Sequence, residues 1–214
     1  GFPGENQEEY VNIHQLMWKI THLTPPGAVA RIRLDRFSPY FNKYKENGLK
    51  NVRAMWPYKF IYSEIESSSL DKLAYHFDFD YVESCDPESY TMNLKKAAVR
   101  WIEFHPNSDL FYTDNGKELI IIDMRDETTI QTLVLNNMKR LIYLALDGIT
   151  SINSIHKELI SQGQEIPLEE VALIMQEFVE KNIVLEEDGK FINIALNTNI
   201  YHPKKSCKNN YDDI

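Results

Sequence analysis

The sequence predicts an α/β part followed by an α+β part. Three observations carry that expectation. Residues 1–35 run turn, helix, strand, the order of a βαβ unit with a parallel sheet. Asn115-Gly116 stands between two apolar alternating runs and signals a hairpin. Three short helical patterns then follow between residues 137 and 181, closed by a second hairpin across Glu187-Asp188-Gly189. The expected domains are 1–105 and 106–196, with a loose polar tail over 197–214.

The chain opens on Gly1-Phe2-Pro3-Gly4-Glu5. Gly1 and Gly4 permit positive φ or close backbone approach, and Pro3 fixes φ between them. Such a turn hands a strand to a helix, yet no strand precedes it, so the chain reads as the C-terminal part of a larger protein. Asn6 is the expected N-cap, with Glu8 and Glu9 in the first turn. The helix is expected over 6–22, with Tyr10, Ile13, Met17 and Ile20 on one face. Thr24-Pro25-Pro26-Gly27 stops it.

Residues 28–35 alternate as a strand, with Ile32 and Leu34 on one side and Arg31, Arg33 and Asp35 on the other. Residues 36–66 are irregular and aromatic, with a short strand expected within Tyr58 to Ile65. A helix is expected over 68–77. Another is capped by Asp86, starts at Pro87 and ends near Phe104, with Tyr90, Leu94, Ala97, Ala98 and Trp101 inward.

After His105-Pro106-Asn107-Ser108 the texture changes. Strands are expected over 109–113, 118–124 and 129–135, then helices over 137–146, 151–161 and 167–181. Ile183–Leu185 and Lys190–Ile194 make the closing hairpin. Three strands, three helices and a wing describe a winged-helix module.

Composition narrows the function classes. The chain has 214 residues, 43% hydrophobic and 26% charged, so it can bury a core, and no apolar run approaches the roughly 18 residues of a membrane span. Two cysteines, Cys85 and Cys207, form neither a disulfide framework nor a metal motif, which fits a cytoplasmic protein. The six histidines show no zinc spacing, so no metal site is expected. Residues 106–214 hold 10 Lys and Arg against 18 Asp and Glu, the wrong sign for a nucleic-acid backbone.

Two resemblances arise from these residues. Gly1-Phe2-Pro3-Gly4-Glu5 resembles the strand-to-helix turn of radical S-adenosylmethionine (SAM) enzymes. With Arg33-Leu34-Asp35-Arg36-Phe37-Ser38-Pro39-Tyr40-Phe41, Tyr58-Lys59-Phe60-Ile61-Tyr62 and Leu73-Ala74-Tyr75-His76-Phe77-Asp78, residues 1–80 resemble the cobalamin-binding radical SAM maturases of ribosomally made, modified peptides. Some of these are C-methyltransferases. The second half, with Asp147-Gly148, Thr150, Ser151 and Asn182-Ile183-Val184, resembles a PqqD-type peptide-recognition module.

The resemblance implies the C-terminal part of a partial (β/α) radical SAM barrel joined to a winged-helix domain. It implies a parent enzyme that uses SAM, a [4Fe–4S] cluster and cobalamin to modify a ribosomal precursor peptide. The Cys-x3-Cys-x2-Cys motif for the cluster and the cobalamin domain would both precede residue 1, so this chain alone is expected to be inactive. No nucleic acid and no membrane enter as partners. The alternative is a non-catalytic module that binds a leader peptide.

Candidate site residues follow, each with a structural alternative; no catalytic residue is assigned. Gly1, Pro3, Gly4 and Glu5 either approach SAM or form a tight turn with a first-turn acid. Arg31, Arg33, Asp35 and Arg36 either face a barrel interior, where arginine grips carboxylates, or form internal ion pairs. Thr129, Gln131 and Leu133 mark an open strand edge onto which a leader peptide would pair, with helix 167–181 as the groove wall. The same half could instead be a structural appendage.

Overall fold

A computed structural model of the chain describes residues 1–83, 86–126 and 128–204. The elements, in chain order, are α1 (Gln7–Lys19), β1 (Leu34–Asp35), α2 (Pro39–Asn42), β2 (Leu49–Ala54), α3 (Pro57–Ile61), α4 (Ser67–Leu73), β3 (His76–Tyr81) and α5 (Pro87–Phe104). They continue with β4 (Leu110–Asp114), β5 (Glu118–Asp123), β6 (Gln131–Asn136), α6 (Asn137–Leu144), α7 (Ile152–Ser161), α8 (Leu168–Glu180), β7 (Val184–Glu187), β8 (Lys190–Asn193) and β9 (Leu196–Asn197). The architecture is mixed α/β. Among the described residues no barrel forms, and no helix is long and apolar enough to cross a membrane.

The chain divides into two compact units. The first comprises Gly1–His14 and Gly27–Ala98; the second comprises Gln15–Pro26 and Val99–Ile214. Each is described by itself.

In the first unit the three-stranded sheet has the order β1-β3-β2. Both pairings are antiparallel, which corrects the expected parallel βαβ unit. The expected strand over 28–35 shrinks to Leu34–Asp35. Upstream, side chains rather than ladder bonds hold the segment: Ile32 packs on the core, and the Arg31 guanidinium lies 5.2 Å from the Phe79 and Tyr81 ring centroids. The strand expected within 58–65 is instead α3. Pro57 pre-sets helical φ at its first turn, and Tyr62 N–H bonds the Tyr58 carbonyl at 2.9 Å.

Two strands were not expected, β2 and β3. The ladder of β2 shifts register between Lys50 and Arg53, where Asn51 sits at φ +51°, so no regular alternation marks it. In β3 the alternation is plain: Phe77 and Phe79 are buried, while His76, Asp78 and Asp80 face the other way, only partly buried. The core gathers Leu34, Leu49, Leu70, Ala74, Phe77 and Phe79. Asp71 of α4 accepts the Ala54 N–H at 2.8 Å, joining helix to strand.

In the second unit a four-stranded sheet runs β6-β5-β4-β9. The first three strands are antiparallel neighbours, and β9 adds parallel to β4. Helices α6, α7 and α8 follow β6 directly, and β7–β8 form the closing hairpin. One core joins sheet and helices through Leu110, Leu119, Ile121, Leu135, Ile142, Tyr143, Ile155, Val171, Met175 and Phe178. The hairpin turn at Asn115 is held by its own side chain, which accepts the Lys117 and Glu118 N–H groups.

Two expected boundaries move for identifiable reasons. Helix α1 ends at Lys19 rather than 22, where short-range bonds replace the helical ones, Ile20 N–H to the Met17 carbonyl at 3.2 Å and Leu23 N–H to the Ile20 carbonyl at 2.9 Å, and the carbonyls beyond it take other donors. Trp101 Nε1–H donates to Thr21 and Leu23 at 3.0 and 3.1 Å, and Lys204 Nζ donates to His22 at 2.9 Å. The described part of the expected loose tail is also fixed. Lys204 Nζ donates to the carbonyls of His105 and Ser108 at 2.9 and 2.7 Å, and Tyr201 O–H donates to Asp109 at 2.9 Å. The rest of that tail, 205–214, lies outside the described residues, as do Cys85 and Cys207.

Candidate functional site

The opening turn closes around Glu5. Its Oε2 accepts Tyr10 O–H at 2.7 Å and Phe2 N–H at 2.8 Å. Its Oε1 accepts the Gly1 amino group at 2.9 Å and Tyr90 O–H. Burial pushes the carboxyl up, but the bonds from Tyr90, the amino group, Tyr10 and Phe2 outweigh it and bring it down to about 2. The same contact, after burial, pushes Tyr10 up to about 12. Both glycines are needed here. Gly4 sits at φ +81°, and a Cβ at Gly1 would stand 2.6 Å from Tyr81 Oη.

Glu5 is thus engaged by Phe2, Tyr10 and Tyr90 within the first unit, the tight-turn alternative for this residue. Pro3 sits in the turn between the glycines.

The four charged residues around β1 separate. Arg33 grips Asp35 bidentately, Nε to Oδ1 at 2.7 Å and Nη2 to Oδ2 at 2.9 Å. His76, across the ladder from Asp35, shares Oδ1 through Nδ1 at 2.8 Å. The Arg33 bonds, then His76, hold the Asp35 carboxyl below the usual carboxylate range. Asp35 orients the ring and puts its proton on Nδ1. Arg31 and Arg33 share a cleft of about 250 Å³ with Met55, Phe77 and Asp78. Arg36 turns elsewhere: Nε donates to the Ala74 carbonyl at 2.6 Å and Nη2 to that of Asp71, closing the end of α4.

His76, Asp78 and Asp80 belong to this polar face but escaped the sequence reading. The signal was present, since His76-Phe77-Asp78-Phe79-Asp80 alternates with period two. Arg53 and Asn51 complete the face by bonding Asp80 at 3.2 and 2.8 Å.

In the second unit, Gln131 and Leu133 lie on β6, opposite Asp123 and Ile121 of β5, and Thr129 precedes the strand. Strand β6 pairs only with β5 among the described residues, so its other side is an open edge six residues long. Edges are commonly guarded by charge, proline or brevity. The opposite edge, β9, is two residues long. Residues 128–137 contain neither a charged residue nor a proline.

No family model, curated protein or solved structure matches the chain.

The start of β6 opens into a cleft of about 400 Å³. Thr129 and Gln131 line it with Asn182, which follows the end of α8, and with Asp126 and Trp18. Arg125 also lines it but is committed: it holds Asp123 through Nε at 2.8 Å and donates Nη1 to the Lys19 carbonyl at 2.5 Å. Leu133 of β6, Met138 of α6 and Val179 of α8 are partly buried against the shared core. An unguarded strand edge beside a polar cleft can take an extended backbone and read its side chains. Among the described residues no group of three or more His, Cys, Asp or Glu could hold a metal ion.

Proposed function

We propose that this chain is the C-terminal part of a radical SAM enzyme that matures a ribosomally made peptide by cobalamin-dependent C-methylation. Its second unit, taken as a winged-helix, PqqD-like domain, holds the leader of that peptide along β6. The observation that carries the peptide role is the open, uncharged, proline-free edge of β6. The strand order, the three helices and the β7–β8 hairpin support the winged-helix reading. The first unit, whose sheet is antiparallel and is not a barrel segment, is taken as a part of that enzyme that places Arg31, Arg33 and Asp35 beside the substrate. In that reading SAM and the cluster would supply the radical and cobalamin the methyl group; the turn of Gly1, Pro3, Gly4 and Glu5 would approach SAM, and the cluster ligands and the cobalamin domain would precede residue 1.

A second reading keeps the peptide and drops the chemistry: a leader-binding module without catalysis. The cysteine count favours it, because two cysteines this far apart do not hold a three-cysteine cluster.

The test begins with a random peptide library displayed on phage and panned against the chain. The best binder is resynthesised in two forms, N-methylated on odd or on even residues. Strand addition uses alternate N–H groups, so one form loses about tenfold or more in affinity and the other keeps it. Equal binding by both forms rules out strand addition. Release of 5′-deoxyadenosine from SAM by the whole gene product under reducing conditions separates the enzyme from the bare module.

A further inference from the structure

Resting on the peptide reading above, we infer that the β6 edge selects a cationic extended peptide, and that charge keeps a second copy of this chain from taking its place. An unguarded edge is a template for any strand, including its own copy. Electrostatics decides between these occupants.

The second unit carries 12 Lys and Arg against 19 Asp and Glu, a net charge of −7. Strand β6 contributes nothing to that charge. Helix α8 contributes much of it: Glu169, Glu170, Glu177 and Glu180 lie on this one helix. Glu177 is neutralised by Lys139 of α6 at 2.6 Å. Glu169, Glu170 and Glu180 stand exposed, and Glu180 accepts a neutral bond from Gln176 at 2.9 Å.

The end of α8 reaches the peptide edge, because Asn182 lines the same cleft as Thr129 and Gln131. Helix C-termini carry partial negative charge; α8 has no basic residue in its last turn, and its C-cap, the exposed Lys181, offsets part of that charge. Asp126 adds a carboxylate to the cleft and is held below the usual range by the Thr128 hydroxyl and N–H. Lys19, on the same cleft, opposes it. The bias therefore comes from Glu180 near the cleft and from the net charge of the whole unit; Glu169 and Glu170, at the far end of α8, act at low salt, where the Debye length grows to about 30 Å at 0.01 M. Two such units approaching edge to edge repel; a peptide bearing Lys or Arg is drawn in.

The experiment uses the full chain and three fluorescein-labelled peptides of equal length, alternating Val and Thr and interrupted by Lys, Ser or Glu. Fluorescence anisotropy is read at low and at high salt, and sedimentation velocity gives the mass. The expected order is Lys, then Ser, then Glu, with about tenfold between the extremes at low salt and little at high salt. A Glu169→Gln/Glu170→Gln/Glu180→Gln variant narrows the gap and leaves the Ser peptide unchanged. These glutamates are exposed, so the variant keeps the fold.

Equal binding of Lys and Ser peptides, with sensitivity to backbone N-methylation retained, overturns the charge inference and spares the edge. Binding of none of the peptides, or binding indifferent to N-methylation, overturns both. A dimer that Thr132→Lys dissociates makes the occupant a second copy and overturns the inference.

Discussion

Glu5 holds Tyr10 and Tyr90, residues 80 positions apart in sequence, on one carboxylate, and their rings pack at 5.2 Å between centroids. This pair of phenols ties the opening turn to α1 and α5 within the first unit. Glu5→Gln removes the charge from every one of those bonds and is expected to cost about 1–3 kcal/mol. The folded-state carboxyl near 2 lies below its ordinary 4.5. Its stabilisation is therefore complete above pH 4.5 and lost as pH falls toward 2. Urea unfolding of wild type and Glu5→Gln at several pH values reads this; parallel curves below pH 4.5 would contradict it.

His22 gives a second, separate acid window. The ring is buried, Nε2 donates to the Ile194 carbonyl at 2.8 Å, and Nδ1 has no hydrogen-bond partner among the described residues. Burial, first of all, pushes its pKa down to about 4 from 6.5. The unfolded chain takes the proton first, so this stability is present above pH 6.5 and lost as pH falls toward 4. The loss amounts to about 3 kcal/mol. His22→Phe should flatten the stability profile of the second unit between those values. A profile with the same slope in the variant assigns the loss elsewhere.

Trp101 binds the segment Gln15–Pro26 into the second unit through its single indole N–H, shared between Thr21 and Leu23. Trp101→Phe leaves both carbonyls without that donor and part of the buried indole's space unfilled. The expected cost is about 1–2 kcal/mol. Amide exchange should quicken at residues 20–24 and not on β5. Uniform quickening over the whole unit would mean that the segment is not locally held.

Arg140 of α6 grips Asp114 at the end of β4 with two bonds, Nε to Oδ1 at 2.6 Å and Nη2 to Oδ2 at 2.7 Å. Both side chains are largely covered, about 17–18% exposed. Arg140 is the main reason the Asp114 carboxyl stays below its usual range. Breaking a covered bidentate pair from one side strands the other charge, so Arg140→Met is expected to cost about 2 kcal/mol. The Asp114→Asn/Arg140→Met double variant should lose less than the two singles added. Strict additivity would show that the pair is uncoupled.

The second half was largely readable, because its chemistry is local. Asn115-Gly116 fixes a hairpin, Ser151 caps α7 by accepting the Ser154 N–H, and Pro167 starts α8. The apolar faces of α6, α7 and α8 recur at helical spacing, and Ile142, Ile155, Leu159, Val171, Met175 and Phe178 of those faces lie in the core. The first half resisted for equally physical reasons. A bulge at Asn51 erased the alternation of β2, and Pro57 turned an aromatic strand pattern into α3.

Sequence by itself determined the elements whose signals lie within a few residues: α5 with Asp86 and Pro87 at its start, both hairpins and the three-helix run. It also determined the charge imbalance, since that needs only counting. Tertiary structure alone decided the partners of the charged residues. Arg33 and Arg36 sit three positions apart in one motif, yet Arg33 goes to Asp35 and Arg36 to the end of α4. It also decided that β6 is an edge and that Glu5 is enclosed by tyrosines. A strand becomes an edge only through the absence of a neighbour, and a carboxylate finds its donors only when distant segments meet. Neither fact is written in a short window, because both depend on contacts whose entropy cost is met only by the packed whole.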